Sequence, residues 1–198
     1  PFVGSFLRTA RTGGIIISIF LVPTWMLFAY NPEYLPDFLK FIGPKEEGSI
    51  PVIIQILIGE VGIEFLRMAA IHTPTAMSTA LGIVAGVLIG QIAIEVGLFS
   101  PEVVLYVAVA AIGAYATPSY ELGLANKLAK LVIIIVTFFF NIWGLIGSTL
   151  FFILFLTFTN SFGKPYLYPL LPFNLKDFIN IFIRTTQRRK NTRNNNRN

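Results

Sequence analysis

Apolar residues along the chain gather into five stretches, separated by breaks rich in proline, glycine and charge. A bilayer core of roughly 30 Å needs about 20 helical residues, so stretch length decides which of them can cross. Residues 13–30 follow Arg8 and Arg11 and stop at Asn31-Pro32, which predicts a span that starts on the cytoplasmic side. Residues 31–49 carry Glu33, Asp37, Glu46 and Glu47 beside Lys40 and Lys45, with three prolines, and read as a polar loop on the far side. The second stretch, residues 50–71, is apolar but interrupted by Gln55, Glu60, Glu64 and Arg67. At 100° per residue the three charges fall on one stripe of an otherwise apolar helix, which suits an interface or a bundle interior. The break His72-Thr73-Pro74 ends it, because proline disfavours helix in the residue before it.

The third stretch, residues 75–99, is long enough to span and places Ser78, Gly82, Gly86 and Gly90 four residues apart, a ridge that lets another helix backbone come close. Gln91 and Glu95 lie toward its end, and residues 97–101 form a turn. The fourth, residues 103–117, is short and alanine-rich and suits enclosure by other helices; Pro118 ends it, and residues 119–130 form a polar, amphipathic stretch with Lys127 and Lys130. The fifth, residues 131–159, is uncharged and would be about 43 Å long as one helix, so it must tilt, protrude or break near Gly144 and Gly147. Residues 161–173, with prolines at 165, 169 and 172, predict an interfacial cap that puts Tyr166 and Tyr168 at headgroup level.

The predicted fold is therefore all-α: a polytopic helical membrane domain of about four to five spans plus an amphipathic or re-entrant helix, over residues 1–173. Residues 174–198 form a basic, Asn/Arg-rich cytoplasmic tail, disordered toward its end. Four spans return this tail to the side of Arg8 and Arg11, and five place it outside. A broken fifth stretch would reconcile all the basic clusters, so the count stays open.

Composition and charge sharpen this picture. Of 198 residues, 55% are hydrophobic and only 13% are charged, about half of what a soluble domain uses to cover its surface. From Lys176 onward there are seven basic residues and one acid, a net +6, and the remainder sums to −1. That tail has no repeated aromatics for base stacking and directly follows apolar sequence, so the expectation is membrane lipid and no nucleic acid. The absence of cysteine and the single histidine argue against metal sites, and no nucleophile elbow, phosphate loop or dinucleotide fingerprint is present. No catalytic, cofactor or metal residue is expected. Opening on Pro1 without a signal-peptide pattern, the chain reads as a fragment of a longer protein.

Ionisable residues at membrane depth cost about 2.5–3.5 kcal/mol each and are functional candidates. Glu60, Glu64, Gln91 and Glu95 are candidates for a polar pore lining, in which carboxylates repeated around an axis would attract cations. The alternative is a Glu64–Arg67 pair that neutralises its own helix, with Glu60 and Glu95 near headgroups. His72 reads as a hydrogen-bonded helix end ahead of a pH sensor. The glycine ridge reads as helix packing.

An ordered set of motifs carries a further indication. Gly90-Gln91-Ile92-Ala93, Gly97-Leu98-Phe99-Ser100-Pro101, Thr117-Pro118-Ser119-Tyr120 and Ser161-Phe162-Gly163-Lys164-Pro165-Tyr166-Leu167, together with Glu64-Phe65-Leu66-Arg67, resemble the membrane domain of the GerA family of spore germination proteins. The resemblance runs from residue 1 to about 173. The nutrient-receptor A subunits usually carry an arginine-proline pair where this chain has His72-Thr73-Pro74-Thr75; residues 67–74 and 120–126 look closer to the stage V sporulation protein AF branch. The resemblance implies the spore inner membrane of an endospore-forming bacterium, a preceding soluble domain, and association with other germination membrane proteins. It also implies a homo-oligomer, pentameric in the family, that releases monovalent cations. The alternatives are an A-type subunit of a nutrient germinant receptor and a non-conducting scaffold.

Overall fold

The computed structural model describes residues 2–43, 48–72, 86–87, 90–161 and 164–165. Ser78, Gly82, the side chain of His72, most of the third stretch, Tyr166, Tyr168 and the basic tail lie outside the described residues. The described structure is helical: α1 (Phe2–Tyr30), α2 (Val52–His72), α3 (Pro101–Ala114) and α4 (Tyr120–Phe158). Two 3₁₀ turns, Pro32–Tyr34 and Asp37–Ile42, follow α1, and a two-residue antiparallel pairing joins Asn160–Ser161 to Lys164–Pro165. Two helices, Phe6–Tyr30 and Tyr120–Phe158, are long and apolar enough to cross a membrane by length and composition. The chain divides into a unit formed by Arg11–Phe155 and a second formed by Pro1–Ala10 with Leu156–Asn198. The first of these contains every contact described below.

Local chemistry accounts for the boundaries. α3 opens with Pro101 in its first turn, where the missing N–H is no loss, and Glu102 there favours the positive end of the helix. The preceding reversal uses Gly97 at φ 72°, left-handed backbone that glycine adopts without strain. Buried Gln55 ties this turn to α2: its Oε1 accepts the Ser100 N–H at 2.8 Å and its Nε2 donates to the Ile50 carbonyl at 2.6 Å. α1 starts about three turns earlier than the apolar pattern indicates, since Arg8 and Arg11 are exposed on an already helical segment.

The core is built from Val22, Trp25 and Met26 of α1, Ile56 of α2, Val103, Val107 and Ala110 of α3, and Ile134 of α4. The Trp25 ring stacks on Tyr106 at 4.9 Å, and its indole N–H reaches the Ile42 carbonyl at 2.8 Å. α1 and α3 approach most closely at two glycines: a Cβ on Gly14 would sit 2.7 Å from that of Ala116, and one on Gly113 would meet the Gly14 carbonyl. The contacts also set helix direction. Tyr30 lies at Ile53 while Ser18 shares a cavity with Glu64 and Arg67, so α1 and α2 are antiparallel. Gly59 packs on Val107, and Ile63 lines the same cavity as Ala111 and Ala114, so α2 and α3 run parallel. Gly123 lies at Arg67 and Lys130 at Glu60, so α4 begins antiparallel to α2.

The polar residues 119–130 and the apolar residues 131–159 form one 39-residue element, interrupted at Asn141 (φ 52°, ψ −135°). A break in this segment is expected from its length; its position is three residues ahead of Gly144. With ψ at −135° the Asn141 backbone lies outside the left-handed helical well, so it is strained and depends on contacts beyond its own helix. The Asn141 Oδ1 accepts a hydrogen bond from Asn31 Nδ2 at 3.2 Å. Beyond it the chain turns back on itself, because a Cβ on Gly144 would collide with the Val136 carbonyl, whereas a straight helix would hold those residues about 12 Å apart. Gly147 has nothing within 4 Å. Gly144→Ala is expected to destabilise the folded protein by about 1–3 kcal/mol through overpacking, and Gly147→Ala to stay within about 0.5 kcal/mol of wild type. Thermal unfolding of the full-length protein in detergent measures both.

Candidate functional site

Helix periodicity places Glu60, Glu64 and Arg67 on one side of α2, and the antiparallel start of α4 brings Lys127 and Lys130 against them. Glu60 is only 2% exposed and accepts a hydrogen bond from Lys130 Nζ at 2.6 Å. Lys127 Nζ donates to the Glu60 carbonyl oxygen at 2.6 Å and to Glu64 Oε2 at 2.9 Å, and lies 3.9 Å from Glu60 Oε2. Arg67 donates to Glu64 Oε1 from Nε at 3.1 Å and from Nη2 at 2.6 Å, and its guanidinium lies over the Tyr120 ring at 5.1 Å. Gly123 makes room for the guanidinium: a Cβ there would stand 3.0 Å from Nη1. Ser18, Ile63, Ala111, Ala114, Tyr115 and Asn126 complete the wall of a cavity of about 30 Å³.

Burial sets the energetics of this cluster. An unpaired charge away from water costs several kcal/mol, and mutual attraction repays that only with close, hydrogen-bonded geometry. All five side chains are at most 16% exposed, so each depends on the others. The Glu64–Arg67 pair at i, i+3 follows from spacing on one helix; the pairing of Lys127 and Lys130 with Glu60 and Glu64 does not. These lysines belong to a stretch that composition alone reads as a polar connection. Their placement is a tertiary result, since the complementary charges lie more than sixty residues apart.

Gln91 and Glu95 are elsewhere, on the helical residues 90–95, where both are exposed and Gln91 Nε2 donates to Glu95 Oε1 at 3.0 Å. Of the four pore-lining candidates, the structure thus puts Glu60 and Glu64 in a closed ion-pair cluster and Gln91 and Glu95 on an open face. Of the packing ridge, Gly90 has nothing within 4 Å of an added Cβ, and Gly86 meets only a Leu66 methyl at 4.0 Å. The closest glycine-mediated approach between separate helices among the described residues is instead Gly14 with Gly113, two positions from different stretches that no spacing rule links. No group of acids and histidines suited to a metal ion occurs among the described residues.

Comparison with known proteins now bears on this arrangement. Residues 1–196 match the family described as Bacillus/Clostridium GerA spore germination protein. The chain belongs to the GerA family. The match extends through the basic tail, past residue 173 where the sequence motifs stop. Stage V sporulation protein AF of Bacillus subtilis (strain 168) is 54% identical over 187 residues, covering 94% of this chain and 38% of that protein. Spore germination protein A1 of Bacillus subtilis (strain 168) is 32% identical, covering 91% and 38% respectively. Uncharacterized membrane protein YfkQ of the same strain is 26% identical, covering 92% and 36%. The chain therefore spans somewhat over a third of the length of these relatives. No solved structure matches it.

The Glu60–Lys130 contact makes a direct stability prediction for this GerA-family chain. Glu60→Gln leaves the Lys130 ammonium without its close carboxylate and is expected to cost about 3–5 kcal/mol. The double variant Glu60→Gln/Lys130→Gln is expected to recover more than half of that loss. Equilibrium unfolding of both variants in detergent, with the double-mutant cycle closed by Lys130→Gln, checks the coupling.

Proposed function

We propose that this chain is the membrane part of a non-enzymatic spore germination subunit that assembles, as a homo-oligomer, into a channel releasing monovalent cations across the spore inner membrane. Family membership supports the germination setting, and two helices able to cross a membrane support the location. The observation that carries the conduction reading is the exposed Gln91–Glu95 pair on an otherwise apolar segment. A carboxylate held outward at membrane depth is costly unless it meets water or another subunit. An axis shared by several copies provides both, and a ring of Glu95 side chains attracts cations. Glu60 and Glu64, with their charge already met by Lys127, Lys130 and Arg67, serve this channel as structural ties between α2 and α4.

In this reading α2 lies antiparallel beside α1, and the two arms of α4 on either side of Asn141 run back against each other. An even number of crossings returns the tail to the side of Arg8 and Arg11, and the Lys127–Lys130 end of α4 falls on that side too, as basic residues prefer.

Cation flux from liposomes containing the full-length protein tests the proposal. Glu95→Gln is expected to lower flux several-fold while the oligomer, judged by size-exclusion chromatography with light scattering, stays intact. Equal flux from wild type and variant takes Glu95 out of the ion path. An intact wild-type oligomer that passes no cations sinks the channel reading and leaves the scaffold.

A further inference from the structure

The cluster between α2 and α4 does not balance. Three cations, Arg67, Lys127 and Lys130, face two carboxylates, Glu60 and Glu64, and among the described residues no further carboxylate lines the cavity they share. Lys127 and Lys130 have side chains 12% and 5% exposed, so bulk counter-ions screen the excess charge poorly. A net charge in such surroundings calls for a compensating partner.

The cavity supplies a second feature that points the same way. Asn126 lines it, and the Asn126 amide nitrogen is buried with no hydrogen-bond partner among the described residues. An amide N–H₂ is a donor, and a buried donor left unpaired costs about 1–3 kcal/mol. Lys127 and Lys130 add ammonium donors beyond those spent on Glu60 and Glu64. Neutral water would satisfy the amide but not the charge. A second carboxylate from another copy would have to reach between the four helices that line the site. A cavity of about 30 Å³ exceeds what one water needs, and the single excess positive charge is matched by a monovalent anion and not by a divalent one such as phosphate.

We infer that this cavity is a binding site for one small monovalent anion of halide size, chloride in the cell, held by Lys127, Arg67 and the Asn126 amide. The anion brings the cluster to charge balance and locks α4 onto α2. This site is separate from ion conduction, and its test does not rely on flux.

Thermal unfolding of the full-length protein in detergent, at fixed pH and ionic strength, is followed while sodium gluconate is exchanged for sodium chloride. Wild type is expected to gain stability saturably with chloride, because a ligand that binds only the folded state stabilises it by mass action. Asn126→Ala is expected to raise the half-saturating chloride concentration about fivefold, the loss of one hydrogen bond. Lys127→Met, which leaves two cations against two carboxylates, is expected to abolish the chloride response. Identical unfolding in chloride and gluconate overturns the proposal. So does an Asn126→Ala protein with the wild-type chloride midpoint, a result readable even if Lys127→Met does not fold.

Discussion

The cost of burying charge away from water is the constraint that organises this structure. α2 carries two carboxylates and a guanidinium on one stripe, and that stripe has to find oppositely charged partners or face solvent. It finds Lys127 and Lys130 on the first turns of α4, with Nζ–carboxylate distances of 2.9 and 2.6 Å. The direction and register of α4 against α2 follow from those contacts. One helical turn of slippage would leave Lys127 or Lys130 without its carboxylate, so the cluster acts as a register key between two otherwise greasy surfaces.

Apolar helices supply little directional information of their own, because side chains of similar shape pack in several registers. Two kinds of residue restore it here. Small residues allow backbones to touch, as at Gly14 and Gly113, where a methyl group on either side would force α1 and α3 apart. Polar side chains tie loops to helices, as Gln55 does for the turn before α3 and Trp25 for the Ile42 carbonyl. The break at Asn141 belongs to the second kind: a residue in a strained backbone conformation is held from outside its own helix by Asn31.

These devices also divide the polar residues by role. Glu60, Glu64, Arg67, Lys127 and Lys130 are turned toward one another and hold the helices together. Gln91 and Glu95 bond to each other on an exposed face, where a neighbour beyond this chain can reach them.

Sequence by itself determined the helical class, the extents of α2 and α3 to within a few residues, the GerA family, and the charged stripe on α2. Each of those is written locally, in hydrophobic runs, in proline and glycine breaks, and in spacing at i, i+3 and i+4. The tertiary structure alone decided that Lys127 and Lys130 are buried partners of Glu60 and Glu64, that Gly14 meets Gly113, and that α4 turns back at Asn141. Those outcomes depend on which distant segments come together. Spacing along a chain describes the face a residue occupies on its own helix; what that face meets is set by the mutual fit of charge and shape across the whole bundle.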